Sequence, residues 1–126
     1  MKKFVIFVAI LAVAALLGYV PAANYLVANG LKEPAKPSSA GQAFTGARMH
    51  MWMQNFPKAR EAFQKALQRF PKSEHAAKMT YMVAFCYEKE HKIDDAAKWY
   101  QSFLARYPTD VWAKQAKFRL AHVAAP

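Results

Sequence analysis

Laid over itself at an offset of 37 residues, this 126-residue chain repeats residues 56–84 at 93–121. Phe56 falls on Ile93, Ala59 on Ala96, Phe63 on Tyr100, Gln64 on Gln101 and Leu67 on Leu104. The match runs on through Arg69 on Arg106, Phe70-Pro71 on Tyr107-Pro108, Ala76 on Ala113, Tyr81 on Phe118, Val83 on Leu120 and Ala84 on Ala121. A fixed period in this range belongs to stacked helix pairs, because one pair cannot bury its apolar face alone. Apolar residues recur at helical spacing from residue 40 to 123, and no strand-like alternation is sustained there. Pro71 and Pro108 close the second helix of each pair, since the residue before proline is pushed out of the helical region. The expected fold class is all-α.

Local signals place five helices after a leader. The first starts near Ser39, where Ser39 and Gln42 read as a capping box, and ends near Gln54. The second runs from about 56 to 70, with Pro57 tolerated in its first turn. The third runs from about 73 to 90 and is capped by Ser73; the fourth runs from about 93 to 107, with Asp94 and Asp95 at its positive end. The fifth begins near Thr109 or Asp110 and runs to Val123. The expected repeat core is Ala59, Phe63, Ala66, Leu67, Val83, Ala84, Tyr87, Ala96, Tyr100, Phe103 and Leu104.

These residues carry a family resemblance. Ala59, Phe63, Ala66 and Pro71 have the spacing of the small, aromatic, small and proline positions of a tetratricopeptide repeat. Ala96, Tyr100, Phe103 and Pro108 repeat it, with Phe103 in place of the second small residue. Val83, Ala84 and Tyr87 match the large, small and aromatic positions of the preceding helix, and Gly46, Ala47 and His50 stand there in the first repeat. The family's period is about 34 residues; here the extra residues fall just after the proline. That lengthened joint, RFPKSEHAAK and RYPTDVWAKQA, resembles the periplasmic tetratricopeptide proteins of bacterial envelope biogenesis, such as outer-membrane assembly lipoproteins and cell-division coordinators. The resemblance implies about 2.5 repeats in a right-handed stack: residues 40–73, 77–110 and a closing helix at 110–124. It implies little about chemistry, because such repeats are general binding scaffolds.

The leader is a membrane address. Lys2 and Lys3 precede residues 4–20, which carry no charge, and the uncharged stretch continues past Pro21 to Leu31. Two outcomes fit: an uncleaved anchor, for which the length suffices, or a secretory signal cleaved after Val20 and Ala22. Tyr19 and Tyr25 sit where interfacial aromatics are expected. The anchor reading puts residues 1–30 in the bacterial inner membrane as a single pass, with the C-terminal domain periplasmic; cleavage would release that domain into the periplasm. No cysteine follows the apolar run, which excludes a lipoprotein. Residues 31–38, with two prolines and several charges, read as an extended linker holding the domain at 39–126 off the membrane.

Chemistry is scarce. One cysteine, Cys86, rules out an intrachain disulfide and reads as a small buried hydrophobe. Met49-His50-Met51-Trp52-Met53 suggests copper, yet consecutive helical residues point apart and at most two of the methionines share a site. Glu88, Glu90, Asp94 and Asp95 read as a solvated acidic knob. Phosphate loops and hydrolase motifs are lacking. Neither an enzyme nor a cofactor or metal is expected. The net charge is +10, and from Ser38 onward fourteen Lys and Arg stand against seven Asp and Glu. They are dispersed, so anionic lipid, acidic glycan or an acidic protein face fits an exported chain better than nucleic acid.

In this family the first helix of each pair lines a concave groove. The resemblance therefore implies a partner-binding surface from Phe44, Arg48, Met51 and Trp52 in one repeat and Lys78, Tyr81, Phe85 and Lys89 in the next, with Phe118 and His122 in the closing helix. Phe44, Tyr81 and Phe118 form a ladder at one repeat position. Aromatics flanked by cations suit a peptide with apolar anchors and carboxylates. The asparagines of the family's carboxylate clamp are missing. The expected role is a membrane-tethered interaction scaffold; the competing one is an accessory subunit of a large membrane complex, respiratory, photosynthetic or secretory. The closing helix keeps apolar residues at several angles, so residues 38–126 alone are expected to self-associate or melt early.

Overall fold

A computed structural model of the chain describes residues 1–32, 36 and 38–125, apart from the side chain of Leu16. It has six helices, α1 (Lys2–Gly30), α2 (Ser39–Trp52), α3 (Phe56–Arg69), α4 (Ala76–Lys89), α5 (Ile93–Arg106) and α6 (Ala113–Ala124), and no strand among the described residues. Each helix packs on the next in chain order, as expected of stacked pairs.

The second helices of the pairs show why the repeat folds. In α3, Asn55 accepts the Lys58 N–H at the start, Pro57 fills the first turn, and Ala59, Ala62, Phe63 and Ala66 are buried along one face. Lys58, Glu61 and Lys65 remain outside, the last two paired at i, i+4. In α5 the counterparts Ala96, Tyr100 and Phe103 are buried, with Asp94 and Asp95 at the positive end. Of the expected core, Leu67, Tyr87 and Leu104 are half-buried against it and the rest fully buried.

The joints are copied as faithfully as the helices. Phe70 and Tyr107 end α3 and α5 at φ −129, ψ 61 and φ −128, ψ 55. Ser73 Oγ accepts the His75 N–H at 3.1 Å, and Asp110 Oδ1 accepts the Trp112 N–H at 2.9 Å. Ser73 therefore caps a turn ahead of α4 and not the helix itself, which begins at Ala76. At the opposite joints Gln54 and His91 adopt φ 60 and φ 59, the left-handed region that usually takes glycine. The following N–H groups, of Asn55 and Lys92, reach back to the carbonyls of His50 and Tyr87.

Two expectations are corrected at the amino end. No capping box forms on α2: Ser39 Oγ accepts the Lys36 N–H, and Gln42 Oε1 accepts from the Asn29 side chain of α1. Nor is the domain held off the apolar helix. Of the expected linker, residues 33–35 and 37 lie outside the described residues, but α1 packs along α2. A Cβ on Gly30 would meet Ala43 N at 2.5 Å, and one on Gly46 would meet the Ala23 carbonyl at 2.8 Å. Ala23 and Gly30 are buried, with Val27 half-buried between them. Ala23-Val27-Gly30 has the spacing of Ala59-Phe63-Ala66 and of Ala96-Tyr100-Phe103, so the last two turns of α1 act as one more repeat helix. A chain cut at Ser38 would uncover Ala43 and Gly46.

Candidate functional site

The ten residues expected to line the partner-binding face lie on α2, α4 and α6, and the structure divides them by burial. Phe44 is 6% exposed: its ring lies 6.0 Å from Phe63 and stacks on His75 at 4.7 Å. Tyr81 is 3% exposed, 5.7 Å from Tyr100 and 5.2 Å from Trp112. These are the same two contacts one repeat apart, since Phe63 corresponds to Tyr100 and His75 to Trp112. Phe118, at the third copy of the position, is 68% exposed. The expected ladder of open aromatics is thus corrected: two of its three rungs are core. This position faces the second helix of its own pair and the start of the next pair, and among the described residues nothing occupies those places beside Phe118.

Cations take the exposed role instead. The Arg48 guanidinium lies 5.5 Å over the Phe44 ring, and Lys78 Nζ lies 5.1 Å over Trp112. The half-buried Phe85, edge-on to Phe56, carries Lys89 at 5.3 Å and Arg119 at 4.8 Å. Face-on placement lets each ring attract the charge while the ammonium or guanidinium keeps its outward hydrogen bonds. His122 stacks beside Phe118 at 6.4 Å, and both are open to solvent. Met51 is half-buried against the core, while Trp52 stands 75% exposed at the end of α2.

The acidic residues are corrected as well. Glu88 and Glu90 are half-buried cross-links and not a solvated knob. Tyr100 donates its O–H to Glu88 at 2.7 Å, and Arg119 reaches the same carboxylate at 3.0 Å, tying α4 to α5 and α6. Arg60 grips Glu90 with Nε at 2.7 Å and Nη2 at 3.1 Å, and its guanidinium covers Tyr87 at 4.5 Å, tying α3 to α4. Burial alone would raise the Glu90 carboxyl, but the hydrogen bond and charge of Arg60, helped by Lys92, hold it below its ordinary range. Tyr100 is pushed well up by burial and by donating to Glu88. Arg60 and Arg119 were missed in the sequence because their partners lie about 30 residues away, beyond any helical spacing.

The remaining reactive groups are quiet. Cys86 is fully buried, and burial, with Glu90 nearby, pushes its thiol up to about 12, so the nucleophilic thiolate is scarce at neutral pH. His50 is 1% exposed, and its Nδ1 has no hydrogen-bond partner among the described residues. Burial and the Lys58 charge lower its pKa. A cleft at the far end of the helices is lined by Lys36, Arg69, Lys72 and His75, a basic group that the repeat positions do not bring out.

A cation row over packed aromatics, on helices fixed by inter-helix ion pairs, can bind an acidic or carboxylate-bearing segment. No curated protein sequence matches the chain. Residues 36–123, from just before α2 almost to the end of α6, match the family described as YfiO, outer membrane lipoprotein, and with most of its length covered the chain belongs to that family of envelope proteins.

Proposed function

We propose that the chain is a membrane-tethered interaction module of the bacterial cell envelope, binding a protein or peptide across α2, α4 and α6. The observation that carries this reading is the row formed by Arg48, Lys78 and Lys89, each seated over an aromatic ring. Such a row offers charge to a partner's carboxylates at little entropic cost, because the cations are already placed. The tether is α1, 29 residues with a window of mean hydropathy 2.6 and, along residues 2–15, exposed side chains. The one cysteine is buried in α4, so the attachment proposed is the helix itself, in the inner membrane, with the repeats on the periplasmic side. N-terminal sequencing of purified protein is expected to start at Met1 or Lys2; a start near Ala23 would make α1 a cleaved signal.

The partner surface is tested by charge reversal. The full chain, purified from detergent-solubilised membranes, is expected to bring down a partner that an Arg48→Glu, Lys78→Glu, Lys89→Glu variant of unchanged melting temperature loses. Retention of the same partner by the folded variant overturns the reading. The exposed Val111 (88%) in the joint before α6 and Phe118 on α6 favour a second role, an accessory subunit built permanently into a membrane complex. A free tether elutes small in detergent, whereas a subunit elutes with its complex at fixed stoichiometry.

A further inference from the structure

The packing of α1 on α2 fixes which part of the repeat domain meets the bilayer. The two helices run antiparallel: Gly30 lies against Ser39 and Ala43, Asn29 donates to Gln42, and Gly46 lies against Ala23 and Val27. Carried forward at equal rise, this register sets Trp52, the last residue of α2, level with Tyr19. Tyr19 is half-buried, between the exposed Gly18 and Val20, as that level requires. The repeat domain thus begins to touch α1 where the bare apolar stretch ends.

Membrane depth follows from helix geometry. A hydrocarbon core of about 30 Å is crossed by about 20 helical residues at about 1.5 Å each. Counted from Phe4, the crossing ends near Ala23, four residues past Tyr19, so the α2–α3 turn lies about one helical turn, ~6 Å, to the hydrocarbon side of that boundary. Close backbone contact at Gly30 and Gly46 holds the domain to α1, and the turn cannot lift away without breaking that contact.

The turn is built for such a place. Trp52 is the most exposed large aromatic of the repeat domain, flanked by half-buried Met51 and Met53. Gln54 and Asn55 follow, and exposed Lys58 stands one turn into α3. An indole with one apolar body and one N–H donor partitions to the headgroup boundary, and a lysine at the start of α3 can reach phosphate. We propose that Trp52 is an interfacial anchor, seated in the headgroup boundary of the same bilayer that α1 spans, in the leaflet on the repeat side. The proposal rests on α1 as a membrane span, and it withdraws Trp52 from the partner-binding surface.

The test uses the full chain in vesicles of phosphatidylethanolamine and phosphatidylglycerol, with lipids brominated at chosen acyl positions as tryptophan quenchers. In a Trp99→Phe, Trp112→Phe chain, Trp52 is expected to emit to the blue of its emission in detergent-free denaturant. It should lose most of its intensity to lipids brominated near the headgroup and little to those brominated near the chain end. Water-like emission without quenching overturns the proposal. If that chain fails to fold, the quenched fraction of the wild type minus that of Trp52→Phe reads the same quantity, and no difference is equally fatal. The quenched fraction of a Leu11→Trp, Trp52→Phe chain minus that of Trp52→Phe reports on α1 separately and is expected to be greatest for lipids brominated near the bilayer centre. Quenching there without quenching at Trp52 sinks the anchor alone; its absence at Leu11→Trp sinks the span and the anchor with it.

Discussion

The two ends of the helical stack are finished by different means. At the amino end, α1 covers α2 through small residues: Ala23, Gly30 and Gly46 bring the backbones together, and little side chain is left to hide. At the carboxyl end, α6 buries Ala113, Ala116 and Val123 but holds Phe118 out, and Val111 in the joint before it is exposed as well. Phe118 is chemically the same rung as Phe44 and Tyr81, which are core because α3 or α5 and the next joint close over them. Burial at a repeat position is therefore a property of the neighbouring helix as much as of the residue. Where the neighbour is small and close, the surface disappears; where it is lacking among the described residues, an aromatic stays available to a partner.

The largest test of that comparison sets the two kinds of rung side by side. Tyr81→Ala is expected to cost about 3–5 kcal/mol by emptying the space among Tyr100, Phe103 and Trp112. Phe118→Ala should stay within about 0.5 kcal/mol. Denaturant titration of the full chain in detergent measures both, and equal losses would break the distinction. A smaller effect probes the amino end. Gly46→Val should overpack α1 against α2 by about 1–3 kcal/mol. Gly41→Ala, whose Cβ meets only His75 Nε2 at 3.7 Å, should leave the melting temperature unchanged or slightly raised. Indifference to valine at Gly46 would mean that α1 does not lie on α2.

The smallest effect sharpens the same end through pH. His50 is buried beside α1 and α3 and binds a proton less readily folded than unfolded, where its ordinary value is 6.5. Below that value the unfolded chain takes up more protons, so stability held at neutral pH falls as acid is added, until the folded pKa is passed. Melting temperatures from about pH 7.5 down to about pH 5 should decline, and His50→Gln should flatten the slope. An unchanged slope in that variant would assign the decline to other groups.

Much of the fold was legible beforehand, because it is written locally. Ala59, Phe63 and Ala66 recur as Ala96, Tyr100 and Phe103, and Pro71 recurs as Pro108; such spacing fixes which stripe of a helix is apolar and where it stops. The turns hid more. Gln54 and His91 take a left-handed backbone with no glycine to announce it. The candidate site was legible only in part: Arg48, Lys78 and Lys89 stand where the resemblance put them on the helices, but Phe44, the ring beneath Arg48, is core and not open surface.

The sequence by itself determined a run of helix pairs at a 37-residue period, the proline joints between them and an apolar helix ahead of them. Those are features of short-range periodicity and charge, and neighbours along the chain suffice to set them. Only the tertiary structure decided that Phe44 and Tyr81 are core while Phe118 is not, that Glu88 and Glu90 are held by arginines of other helices, and that α1 ends inside the stack. Each depends on what lies across the helix, brought from residues far along the chain, and a helical stripe is apolar in the same way whether a partner helix covers it or not.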